Sequence, residues 1–187
     1  MKPPVSRRLA VLALSTCALA APASAGAALP KDLWATVNAC DSVKFPDRVG
    51  VRASMPGDGT GKRMYARFRL QYYSEPRGSW QPVARGVSRK FHLGSARRDR
   101  QGGYTFRVNP PAAGGSFLMR GVADLEWQKK AYRIKRVRVK RGNKTVVRRK
   151  RVFRRWVVAK RSTQVTRAGI TNVQGGEGIS LATCTVR

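Results

Sequence analysis

Residues 64–73 repeat with a period of two. Met64, Ala66, Phe68, Leu70 and Tyr72 alternate with Tyr65, Arg67, Arg69, Gln71 and Tyr73. Successive side chains of a strand leave opposite faces, so this order gives one apolar face and one mainly basic face. Val49, Val51 and Ala53 alternate with Arg48, Gly50, Arg52 and Ser54 in the same way. Phe117, Met119, Gly121, Ala123, Leu125 and Trp127 share one face of a longer strand, which follows Pro110-Pro111 and Gly114-Gly115. Tyr104–Val108 reads as a further short strand, entered from a turn over Arg100–Gly103. The intervals are rich in turn residues, as at Pro56-Gly57-Asp58-Gly59 and Glu75-Pro76-Arg77-Gly78. No stretch has sustained helical spacing with caps. The expectation is an all-β, antiparallel sandwich or barrel.

The first 25 residues read as a secretory signal rather than as structure. Lys2, Arg7 and Arg8 form a positive start, and Leu9–Ala21 is an apolar run too short to span a bilayer. Ala23-Ser24-Ala25 supplies small residues for cleavage before Gly26. A lipid anchor on Cys17 competes, because Leu14-Ser15-Thr16-Cys17 is similar to a lipobox; Thr16 is a poor residue before the modified cysteine. No later apolar run reaches the roughly 18 residues of a membrane-spanning helix. Residues 26–187 are of a length suited to a single domain.

Of the 39 basic residues, Lys2, Arg7 and Arg8 belong to the signal; the remaining 36 face 9 acidic ones, a net charge of +27. The charge is not spread evenly. Residues 129–161 hold 17 Lys or Arg among 33 positions and no acid. Val, Ile, Tyr, Phe and Trp are interleaved with them, so the stretch is able to order. Outside it the chain is still basic, and Arg outnumbers Lys 25 to 11 in residues 26–187. An Arg-rich genomic bias would account for that diffuse part.

Cys40 and Cys184 are the two cysteines beyond the signal. An even count in an exported chain favours a disulfide, and two cysteines allow one pairing. Such a bridge would close nearly the whole domain and stabilise it by about 4–5 kcal/mol in the loop-entropy account.

Asp99-Arg100-Gln101-Gly102-Gly103-Tyr104-Thr105-Phe106 resembles a run that enters a late strand in many bacterial immunoglobulin-like domains. The resemblance implies an immunoglobulin-like antiparallel β-sandwich of about seven or eight strands in two sheets. It also implies a corner role for Tyr104, with its hydroxyl bonded back to upstream backbone. Trp34, Phe68, Trp80, Tyr104, Phe106 and Phe117 are core candidates. Three further runs are shared with small secreted proteins of high-GC actinobacteria: Val37-Asn38-Ala39-Cys40-Asp41, Arg52-Ala53-Ser54-Met55-Pro56-Gly57 and Ala182-Thr183-Cys184. That resemblance implies a fold and a location but no activity. The chain departs from it in the length and charge of residues 129–161.

Gly142-Asn143 sits between two Val-rich runs and suits a two-residue hairpin turn. Counting outward pairs Val139 with Val146, Val137 with Arg148, Lys135 with Lys150, Arg136 with Arg149 and Tyr132 with Phe153. Arg154 then falls on the face of Ala131, Arg133 and Lys135. A one-residue bulge near Lys135-Arg136 would swap the faces beyond it. Neither face is apolar throughout, so the simplest geometry is a long protruding basic hairpin rooted near Tyr132, Phe153 and Trp156. Like charges directly opposite destabilise a strand pair, so the free hairpin should be loose.

Three uses of this hairpin stay open. It binds an extracellular polyanion (nucleic acid, teichoic acid or acidic polysaccharide), it rests on anionic lipid, or it is a solvated extension with no dedicated ligand. Arg favours the first, because its planar fork meets phosphate or carboxylate with paired hydrogen bonds. The candidate contacts are Arg133, Lys135, Arg136, Arg138, Lys140, Arg141, Lys144, Arg148, Arg149, Lys150, Arg151, Arg154 and Arg155.

Catalytic chemistry has little to stand on. His92 is the single histidine, and no nucleophile pattern surrounds it. Asp124 and Glu126 leave the same face of a strand, where abundant Arg makes them ion-pair partners rather than an acid–base pair. Clustered His, Cys and carboxylate ligands for zinc or calcium are lacking, and no cofactor is expected. Gly57-Asp58-Gly59-Thr60-Gly61-Lys62 is one residue short of a phosphate-binding loop, has Arg63 where Ser or Thr should bind magnesium, and precedes a strand instead of a helix. The expectation is a protein that binds or displays rather than catalyses.

Overall fold

The computed structural model describes residues 33–187; the signal segment, Cys17 and residues 26–32 lie outside the described residues. The described residues hold nine strands and one short 3-10 turn, with no α-helix. The strands are β1 (Trp34–Ser42), β2 (Phe45–Met55), β3 (Arg63–Ser74), β4 (Ser79–Val87), β5 (Phe91–Ser95), β6 (Arg100–Arg107), β7 (Phe117–Arg141), β8 (Lys144–Val165) and β9 (Cys184–Val186). All strand pairs are antiparallel.

They form two sheets. One has the order β1-β2-β6, the other β4-β3-β7-β8. In the second, β5 continues the flank of β3 that β4 leaves free, and β9 pairs with the start of β7. The break between β4 and β5 is closed by Ser88, whose N–H donates to the Phe68 carbonyl and whose hydroxyl accepts from the Phe68 N–H.

The core lies between the sheets. Val37, Val49, Val51 and Met55 from one sheet meet Met64, Phe68, Leu70, Ala123, Leu125 and Trp127 from the other. These are the apolar positions of the two-residue repeats, so the alternation of β2, β3 and β7 is the packing instruction. Each fully buried aliphatic or aromatic side chain contributes roughly 1.5–3 kcal/mol. Gly121 marks the closest approach: a Cβ there would stand 2.5 Å from Val51 Cγ2 and 2.9 Å from Thr166 Cγ2.

Several expectations are corrected. Trp34, Phe68 and Phe106 are core residues, but Trp80 is half-buried and Tyr104 and Phe117 are 39% and 37% exposed. Tyr104 does not sit as a buried corner; its ring packs against Phe91 and Phe106. Arg100–Gly103 is not a turn but the first half of β6, and the chain reverses at Ala96–Arg98. Its glycines serve close contact. A Cβ on Gly102 would meet Leu93 Cδ2 at 2.4 Å, and one on Gly103 would meet the Val51 carbonyl at 2.8 Å. The strand total also exceeds the expected seven or eight, because β9 is a three-residue strand too short to show alternation.

Cys40 and Cys184 form a disulfide, with Cα atoms 5.4 Å apart across a sequence separation of 144 residues. It joins β1 of one sheet to β9 of the other, so the two layers are covalently linked. Glu177 supports the same corner by accepting the Cys40 N–H and the Ser42 hydroxyl. Among the described residues no helix is long and apolar enough to cross a membrane.

A candidate polyanion-contact ribbon

The last pair that β3 makes with β7 is Arg63–Gln128. Beyond it β7 and β8 have only each other, as a two-stranded ribbon that runs out to Arg141–Lys144. Thirteen residues of β7 at roughly 3.4 Å each give it a length of about 40 Å. Gly142 has φ +61°, a left-handed conformation that glycine adopts without strain, and this sets the reversal at Gly142–Asn143.

Directly opposed residues share a face. On the face continuous with the core side of β7 lie Arg133, Lys135 and Arg141, opposite Val152, Lys150 and Lys144. Arg148 pairs with Val137 and Arg155 with Ala131 on that face. On the outer face lie Arg136, Arg138 and Lys140, opposite Arg149, Val147 and Thr145, and Arg151 stands opposite Ile134. Arg154 is the extra residue of a bulge opposite the Ala131–Tyr132 step. All thirteen sequence-selected cations are therefore exposed, but they are divided between two faces and a bulge. The bulge falls four residues nearer the root than Lys135, and it places Arg155, not Arg154, opposite Ala131. A second bulge sits between Trp127 and Gln128, with Ala159 as its extra residue.

Both bulges lie on β8. Each reverses the odd–even parity of that strand, so Trp156 comes to the same face as Phe153. The outer face consequently gathers three aromatic rings at the ribbon's root. Tyr132 and Phe153 have centroids 6.5 Å apart, and Phe153 and Trp156 6.2 Å, each pair edge to face. Cations flank them. The Arg63 guanidinium lies 4.2 Å from the Trp156 centroid, Arg151 lies 4.7 Å from that of Tyr132, and Lys130 Nζ lies 5.7 Å from Trp156. The opposite face carries valines and cations but no ring.

The electrostatics change sharply along this outer face. Among the described residues, the ion pairs are Lys62–Asp58, Arg69–Asp124, Lys90–Glu126 and Arg161–Glu126, none of them on the outer ribbon. Asp124 takes a two-pronged contact from Arg69 at 2.7 and 2.9 Å and a hydrogen bond from the Thr163 hydroxyl. Burial pushes the Asp124 carboxyl up, but these bonds outweigh it and hold it below the ordinary value. Glu126 behaves alike: partial burial raises it, and Lys90, Gln128 and Arg161 together bring it down. The two acids are thus ionised, neutralised in place, and confined to the sheet beyond the aromatic root. Outward from the root, facing cations have no carboxylate between them.

Comparisons with known families, curated proteins and solved structures found no match to this chain. The site rests on its own geometry. Arg63 and Lys130 were not among the sequence-selected cations. Arg63 lies far from the basic stretch in sequence, and its one signal is membership of the mainly basic face of β3 with Arg67 and Arg69. The loop Gly57–Lys62 holds no phosphate cradle; Lys62 and the Thr60 hydroxyl both bind Asp58, lowering its carboxyl to about 2.

Proposed function

We propose that this chain is a secreted, non-enzymatic binding protein: an immunoglobulin-like sandwich whose basic hairpin, β7–β8, contacts an extracellular polyanion. The sandwich description rests on the order β1-β2-β6 facing β4-β3-β7-β8. Export is supported by the signal-like residues 1–25 and by the Cys40–Cys184 bridge, which persists in oxidising compartments.

One observation carries the functional reading. Lys135 faces Lys150, Arg136 faces Arg149 and Arg141 faces Lys144, and no carboxylate lies on the ribbon to relieve them. Each pair costs stability in the free protein. A polymer of phosphate, sulfate or carboxylate groups removes that cost wherever it bridges two facing cations. Binding of this kind is largely independent of ligand sequence and falls steeply with salt, because it releases condensed counterions.

Heparin chromatography tests the reading. A variant with every Lys and Arg of residues 133–151 changed to Gln should elute at much lower salt than the wild type. Elution of both at the same salt would remove the hairpin from the account and leave it a solvated extension. Because the changed residues are all exposed and their mutual repulsion is removed, circular dichroism should show strand content retained or increased in the variant.

A further inference from the structure

The two faces of the ribbon are both basic, but they are not equivalent. On the outer face Arg136, Arg138 and Lys140 stand at every second residue of β7; Ile134, opposite Arg151, separates that row from Tyr132, Phe153 and Trp156. Tyr132 is 45% and Phe153 47% exposed. Ring surface left this open is available to a flat ligand. The acids Asp124 and Glu126 lie on the same sheet face just beyond them. A long polyanion would be drawn along the cation row to the aromatic cluster, inward of which Arg69, Lys90 and Arg161 are already paired with Asp124 and Glu126.

The spacing narrows the polymer. Two residues of a strand advance about 6.5–7 Å, and one nucleotide likewise comprises six backbone bonds, so an extended nucleic acid strand is able to set one phosphate beside each cation. Cations at every second residue therefore match a phosphodiester chain, one charge per repeat. A sugar polymer charged once per pyranose, or once per disaccharide, has a different period. Phosphodiester polymers still divide into those with a ring on every repeat and those without. The aromatic root favours the first, since every base offers a π-face to an exposed side chain.

Resting on the polyanion reading above, we infer that the ligand of the outer face is an unpaired nucleic acid strand. Its phosphates follow Arg136, Arg138 and Lys140 of β7, with Arg149 and Arg151 alongside on β8. Its bases stack on Tyr132 and Phe153, while Arg63 holds the Trp156 ring behind them. Base stacking requires bases that are not engaged in a duplex, so a single strand binds better than the same sequence paired.

The test compares a fluorescently labelled 20-nucleotide oligothymidylate with an abasic strand of the same length, by anisotropy at fixed salt. The wild type should bind the oligothymidylate at least tenfold more tightly. Tyr132→Ala and Phe153→Ala should each weaken that binding by about 5- to 150-fold, the range of one stacked base. Neither change should alter binding of the abasic strand or the salt slope on either probe. Tyr132→Phe should restore stacking, which separates loss of a ring from loss of fold. Equal affinity for the two strands, unaltered by the alanine variants, would overturn the inference while leaving the polyanion reading intact. Tighter binding to phosphatidylglycerol vesicles than to oligothymidylate, lost in the same alanine variants, would overturn it in favour of a lipid surface. If the Gln-substituted ribbon binds heparin and both strands as the wild type does, the polyanion reading itself fails, and this inference with it.

Discussion

The guanidinium of Arg63, at the start of β3, lies 4.2 Å from the centroid of the Trp156 ring on β8. These residues are not strand neighbours, because β7 runs between them. The contact therefore spans β7 and ties the root of the ribbon to β3, an inner strand of its sheet. A cation stacked on an indole is attracted by about 0.5–1 kcal/mol when exposed and more when desolvated. Replacing Arg63 by Ala should raise amide hydrogen exchange in residues 129–158 while leaving β1, β2 and β6 protected. Faster exchange throughout the protein would mean that Arg63 stabilises both sheets rather than the ribbon.

Facing cations make the ribbon a place where charge reversal stabilises. Arg149→Glu would set a carboxylate opposite Arg136, and Lys150→Glu would set one opposite Lys135. Each should stabilise the strand pair by about 0.2–1 kcal/mol. Heparin affinity should fall in the same variants. A gain in ribbon protection together with a loss of polyanion binding is the expected signature, and a loss of both would count against the facing register.

The acid-side behaviour follows from Asp124 and Glu126. Both are depressed below their ordinary values of 3.8 and 4.5 in the folded protein. Groups shifted this way contribute stability that is complete above the unfolded carboxylate range and is lost as pH falls through the folded value. Thermal midpoints should hold steady from neutrality to about pH 5 and then decline through pH 4 and below. Glu126→Gln should flatten part of that decline. A wild-type midpoint that rises on acidification would contradict the ion pairs with Arg69 and Lys90.

Gly121 has no room for a side chain beneath Val51. Gly121→Ala should destabilise the protein by about 1–3 kcal/mol, since overpacking forces the sheets apart or the side chains off their rotamers. Urea denaturation is the direct measurement. Gly59→Ala, at an open turn where the added atom would meet nothing, should cost less through its positive φ alone.

Removing the disulfide by Cys40→Ser with Cys184→Ser should lower stability by about 4–5 kcal/mol in the loop-entropy account. The unfolding midpoint of the wild type should fall likewise in reductant. An unchanged midpoint would mean that β9 and the Glu177 contacts hold the corner without the bridge.

Much of this architecture can be read from alternation alone. The repeats at 48–54, 64–73 and 117–127 put Val49, Val51, Phe68, Leu70 and Leu125 where the core lies, because a strand with one buried face leaves its partner no choice of register. Turn chemistry was a weaker guide. Gly102-Gly103 looks like a reversal but sits inside β6, where the absence of a Cβ admits Leu93 and the Val51 carbonyl. Aromatic identity does not separate Trp80, Tyr104 and Phe117 from the core rings, since nothing in a ring says whether it packs between sheets or along an edge. In the ribbon, counting outward from Gly142–Asn143 gives the β7–β8 partners as far as Tyr132–Phe153. Beyond that point the extra residues Arg154 and Ala159 shift the count, and no residue type announces them.

Those two insertions behave like paired frameshifts in a coding sequence. From Val165 inward the odd residues of β8 point outward; between the bulges the even ones do, at Trp156 and Val158; past Arg154 the odd ones do again. The second insertion restores the phase that the first displaced. Deletion of Ala159 or of Arg154 thus leaves every cross-strand partner in place and merely straightens the strand. Deletion of Val157, a few residues from either, has no such neutral outcome. Single-residue deletions should therefore be tolerated at Arg154 and Ala159 and not at Arg155 or Val157, the immediate neighbours of Trp156.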